Sequence, residues 1–172
     1  FGYTRDTFAI AAHEGWHQYT QQTFKHQLPI WLEEGVATYM EGYRNTRDGR
    51  PEFRPQDNRE RREALRDASR SKRLISLDDL LTRTPQWFLN SNKDSMLTYY
   101  SQVWALTRFL AEGEDGRYRS ALAMVLTDAA EGTMEGRVLT CTVVTGSRRG
   151  GPGAINRVGP AVVQVYFNHD LT

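Results

Sequence analysis

From about residue 4 or 6 to about 24 the chain has no proline, and Phe8, Ala9, Ala12, Trp16 and Tyr19 recur at the period of an amphipathic helix. Pro29 stands where a first helical turn tolerates it, and Ile30, Trp31, Val36, Ala37 and Met40 continue as a second helix. The two make a helical hairpin across a short polar segment. Ser76, with Asp79 three residues on, starts a short helix whose Leu77, Leu80 and Leu81 turn inward. Between 93 and 112, Met96, Leu97, Tyr100, Val103, Trp104, Leu106 and Leu110 predict a long, largely buried helix. Residues 117–130 predict another, with Tyr118, Leu122, Val125 and Leu126 inward. Beyond 137 the pattern changes in kind. Two β-branched runs, 138–145 and 161–167, flank Gly146-Ser-Arg-Arg-Gly-Gly-Pro-Gly, which reads as two short strands and a loop, or as a poorly ordered tail. The expected fold class is mainly α with minor β at the C-terminus: a helical domain over 1–137 and a Gly/Arg-rich segment over 138–172.

Composition narrows this without redirecting it. At 172 residues, with 39% hydrophobic and 25% charged, the chain suits one globular domain, and no apolar run reaches the length of a transmembrane helix. A net charge of +1 argues against a dedicated nucleic-acid or membrane-surface protein. Residues 44–73 hold 11 Lys and Arg against 6 Asp and Glu, yet Glu60, Glu63 and Asp67 are threaded among Arg59, Arg61, Arg62 and Arg66. Such interleaving is expected of a solvated helix face more than of an anion-binding patch. The lone Cys141 forbids an internal disulfide. The chain opens on Phe1 and carries no localisation signal, so it reads as a mature or truncated piece of something longer; an extracytoplasmic location stays open, as does the oligomeric state.

The chemistry concentrates in the first helix. His13-Glu14-Gly15-Trp16-His17 is an H-E-x-x-H element: four residues is nearly one turn, so both imidazoles project from one face and can share one ion, for which zinc is the best match. Glu14, offset around the helix, can reach a water on that ion without being a ligand. A catalytic zinc takes three protein ligands, and the second helix supplies Glu33 and Glu34, between which periodicity does not choose. A Glu placed among Ile30, Trp31, Val36 and Ala37 is costly to bury unless a metal compensates it. Thr38 and Glu41, at i+4 and i+7 from Glu34, are candidates to orient a ligating His. His26, between the helices, is the candidate for a fourth ligand.

His13-Glu-x-x-His17 followed by Trp31-Leu-x-Glu34-Gly-x-Ala-x-Tyr-x-Glu41 resembles the signature of the gluzincin metallopeptidases, including bacterial peptidase-MA-like families. The resemblance implies zinc held by His13, His17 and Glu34, Glu14 as general base, and a peptide or protein substrate. The segment from Tyr100 to Leu110 resembles the family's helix bearing a Tyr that donates to the developing oxyanion, with Tyr99 as a rival for that role. Gluzincins also carry a β-sheet lobe ahead of the active-site helix, and this chain begins almost at the helix. The alternative expectation is an inactive, metal-stabilised helical binding domain, whose zinc would be closed by a fourth protein ligand.

Overall fold

The computed structural model describes residues 7–46, 48–91 and 93–134, and farther on the backbone of four short strands. The expected helix start before residue 7 and the loop over 148–155 lie outside the described residues. The chain falls into two compact units, Phe1–Thr133 and Met134–Thr172.

The first unit is helical. α1 (Thr7–Thr23) and α2 (Ile30–Met40) form the expected hairpin, followed by a small antiparallel ribbon of β1 (Tyr43–Asn45) and β2 (Pro51–Phe53). A 3-10 turn over Pro55–Asp57 leads into α3 (Arg59–Arg70). Then come α4 (Leu77–Thr82), α5 (Pro85–Ser91), α6 (Lys93–Gly116) and α7 (Arg119–Glu131). Ser76 caps α4 as expected, its Oγ accepting from the Asp79 N–H at 3.1 Å. The ribbon and α5 are absent from the sequence reading. In the second unit β3 (Val138–Val143) pairs antiparallel with β6 (Ala161–Tyr166), and β4 (Gly146–Ser147) with β5 (Asn156–Arg157). The protein is therefore mainly α, with minor β toward its C-terminus.

α2 is the centre of the first unit. Trp31, Leu32, Val36, Ala37 and Thr38 are all buried, and the helix packs against α6 on one side and α1 on the other. The contact with α6 is close enough to require Gly35: a Cβ there would overlap Thr107 Oγ1 and lie 3.1 Å from the Val103 carbonyl oxygen. On α6 the buried positions are Thr98, Tyr99, Ser101, Val103, Trp104 and Thr107, while Leu97 stays exposed. The core side of α6 thus runs through Tyr99 where the periodicity placed Tyr100.

α1 departs further from its pattern. Phe8 and Tyr19, expected inward, are about half exposed, and the buried residues are Trp16 and Thr20. The face turned to α2 is His13, Trp16, His17 and Thr20, an i, i+3, i+4, i+7 stripe in which three of the four members are polar. That orientation wins because α2 offers these side chains carboxylate partners, so burying them leaves few hydrogen-bonding groups unmatched.

Candidate metal centre

The α1 stripe meets three acids along α2. His13 Nε2 and His17 Nε2 each lie 3.7 Å from one atom, Glu34 Oε2. The ligand atoms of His13, His17 and Glu34 all fall within 4.8 Å of one another. Among the described residues that oxygen is buried and accepts no hydrogen bond. Burial pushes the Glu34 carboxyl up from its ordinary range; His17 and His13 oppose the shift, and Glu33 and Glu14 add to it.

Both imidazoles are held from behind. His13 Nδ1 is 3.0 Å from Glu41 Oε1, and His17 Nδ1 is 3.1 Å from Glu33 Oε1. A carboxylate at Nδ1 favours the proton there, which leaves each Nε2 lone pair facing Glu34. Thr20 donates to the same Glu33 oxygen at 2.6 Å and so fixes the carboxylate that fixes His17. Thr38 has no such role: its hydroxyl donates to the backbone carbonyls of Glu34 and Gly35, within its own helix.

Glu41, at the C-cap of α2, is the most fully engaged group of the site. Besides His13, it receives Asn58 Nδ2 at 2.7 Å, Arg61 Nε at 3.2 Å and Arg61 Nη2 at 2.8 Å. Burial alone would raise its pKa, but the hydrogen bonds from His13 and Arg61, the Arg61 charge and the Asn58 bond push it down to about 2. The residues between explain how α3 reaches it. Arg54 N–H donates to the Gly42 carbonyl at 2.8 Å, and Pro55 packs where a Cβ on Gly42 would stand. The start of α3 is thereby drawn under the end of α2. Arg61 is only 3% exposed, which corrects the expectation that the arginines of 44–73 are simply solvated; Arg59 and Glu63, paired at 2.6 Å, do lie on the exposed face.

Of the two tyrosines, only Tyr100 lines a cavity beside His13. Tyr100, half-buried, lines a cavity of about 460 Å³ with His13, Glu14, Glu41 and Arg61, and its ring centroid is 6.4 Å from that of His13. Tyr99 is fully buried, stacked on Phe88 at 5.0 Å, with its hydroxyl unpartnered among the described residues. Burial, with the charges of Glu34 and Tyr100 behind it, raises its phenol pKa. Glu14 is exposed at the mouth of the same cavity. A second cavity, of about 440 Å³, borders His17, Glu33 and Glu34 from the side of the α1–α2 connection. His26 lines that second cavity and stands outside the three-residue cluster.

The three donors could hold a small divalent cation such as zinc. Ligand atoms bound tetrahedrally at about 2.0–2.1 Å stand roughly 3.3 Å apart, within a few tenths of an ångström of the His–Glu34 separations. One oxygen without a partner and two nitrogens with free lone pairs are a donor set that a divalent cation completes. Among the described residues no fourth protein donor joins the cluster.

Asn58 and Arg61 belong to no motif or spacing that points to the site. What signal there is lies in Asp48-Gly49 between Tyr43-Arg-Asn and Pro51-Glu-Phe, a hairpin pattern that folds the chain back on α2. A family model described as Protein of unknown function (DUF1570) matches residues 7–132, a span that holds every residue of the site. No curated protein and no solved structure matches the chain.

Proposed function

We propose that this chain, which belongs to the DUF1570 family, is a zinc-dependent peptidase of the gluzincin type, with His13, His17 and Glu34 as the metal ligands. One observation carries the reading: Glu34 Oε2, buried and unpartnered among the described residues, faces two Nε2 atoms whose rings are already anchored through Nδ1. Leaving a buried carboxylate oxygen unsatisfied costs on the order of 1–3 kcal/mol, so the arrangement is best explained by a cation.

Zinc at this position supplies Lewis acidity and brings the pKa of a water down to about 7. The chain's own residues do the rest. Glu14 takes a proton from the water that enters the cavity and passes it to the leaving amine nitrogen. Tyr100 lines the same cavity and supports the negative charge that develops on the scissile carbonyl oxygen. Glu33 and Glu41, bonded at Nδ1 of His17 and His13, fix the orientation of the two rings with Nε2 turned to Glu34. Ala9, Ile10, Met96 and Leu97 give the cavity an apolar wall against which a peptide side chain can pack.

A closed, purely structural zinc site would need a fourth protein ligand, and the cluster has three donors among the described residues, which favours the open one. Glu14→Gln tests the assignment. Hydrolysis of a peptide library falls by roughly 10²- to 10⁴-fold while one zinc per chain remains bound. Undiminished turnover in that variant overturns the role of Glu14.

A further inference from the structure

Arg61 touches both Glu41 and the Tyr100 ring, and it does so from a helix that carries no candidate ligand or base. Its guanidinium clasps Glu41 through two bonds, Nε to Oε2 at 3.2 Å and Nη2 to Oε1 at 2.8 Å. The same Oε1 is the partner of His13 Nδ1 at 3.0 Å. The guanidinium carbon also lies 5.2 Å from the centroid of the Tyr100 ring. At 3% exposure Arg61 is held away from solvent, where charge-assisted bonds and stacking on an aromatic face are least screened.

We propose that Arg61 is a positioning residue for the candidate zinc site, setting the orientation of His13 through Glu41 and that of Tyr100 through the stacked ring. The inference rests on the zinc-peptidase reading and deepens it. A planar fork is what the position demands: one edge of the guanidinium pairs with a carboxylate while its plane remains available to a ring. A lysine supplies the charge and neither the fork nor the plane. The arrangement makes the metal ligand and the oxyanion donor depend on one group, so that α3 fixes the separation between α1 and the start of α6 at the point where the substrate is held.

Two variants of the full chain test this. Arg61→Lys keeps a cation beside Glu41. The pair Glu41→Gln with Arg61→Gln removes both buried charges together and so folds where a single change would leave an unpaired ion. Zinc affinity, measured by competition with a chromophoric chelator, is expected to fall about 10- to 100-fold in each. The visible spectrum of the cobalt-loaded protein shifts, and kcat falls more than KM changes. Adding Tyr100→Leu to Arg61→Lys lowers kcat by less than the product of the two single losses, because the two changes share one contact. Wild-type zinc affinity and an unshifted cobalt spectrum in both variants overturn the inference and leave the zinc reading standing. Fully multiplicative kcat losses overturn the Tyr100 half of it. A wild-type protein that takes up no zinc overturns the reading itself, and this inference with it.

Discussion

Glu34 and Glu41 lie seven residues apart on one face of α2, each turned toward a histidine of α1, and their surroundings are opposite. Glu41 gathers bonds from His13, Asn58 and Arg61, and its pKa drops to about 2. Glu34 keeps one oxygen without a partner among the described residues, and its pKa rises. Burial acts on both. What separates them is that the Glu41 end is completed by the protein itself, while the Glu34 end keeps an oxygen unmatched among the described residues, where the proposed cation would bind. A saturated carboxylate holds structure together, and an unsaturated one beside two oriented imidazoles is where a ligand goes.

The comparison breaks most visibly at the two carboxylates. Glu34→Ala is expected to abolish zinc uptake in equilibrium dialysis while the metal-free fold is retained, since among the described residues no hydrogen bond depends on its free oxygen. Zinc bound at full stoichiometry by that variant would remove Glu34 from the site. Glu41→Ala acts mainly on the fold, because it strands the buried Arg61 without its counter-ion. The expected cost is about 3 to 5 kcal/mol in chemical denaturation. A loss well under 1 kcal/mol would show that the Glu41 knot is not structural.

Glu33→Ala sharpens the picture with a smaller effect. Glu33 holds His17 Nδ1 but does not face the shared centre, so zinc affinity drops by about 10- to 100-fold without vanishing. An unchanged dissociation constant would mean that His17 is oriented by packing alone.

The same division marks what the sequence could disclose. The spacing of His13, Glu14 and His17, with the Glu34-Gly35 pair on the next helix, is local, and helix geometry turns it directly into a cluster. Periodicity likewise exposed α2, which buries a nearly continuous apolar face, and located α6 although Thr98, Ser101 and Thr107 on its buried side are polar. It failed on α1, where hydrophobicity pointed to Phe8 and Tyr19 and the buried stripe is chiefly polar. It failed again at Arg61, whose neighbours in sequence are exposed charges and whose partner is 20 residues away through an unrecognised hairpin. Polar groups that are buried because of specific partners leave no hydrophobic period behind, and those are the groups that finish the site.

The smallest effect, in the metal-free protein, is the most discriminating, since it needs no turnover. In the metal-free protein the raised pKa of Glu34 means that ionising it works against folding. That penalty is absent at pH below its ordinary value of 4.5 and grows as pH rises above it. Glu41 has the opposite sign: its lowered pKa contributes stability above 4.5 that is lost as pH falls toward about 2. Glu34→Gln removes only the first of these, so at neutral pH the metal-free variant should be more stable than wild type by about 1 kcal/mol. The gain should shrink toward pH 4, where wild-type Glu34 is already protonated, and the acid limb owed to Glu41 should be unchanged. Saturating zinc should reverse the order, stabilising wild type by about 3 kcal/mol at a hundredfold excess over the dissociation constant and leaving the variant unmoved. A Gln variant that is less stable than metal-free wild type at pH 7 would show that the Glu34 carboxylate is satisfied within the protein, and would erase the difference between the two ends of α2.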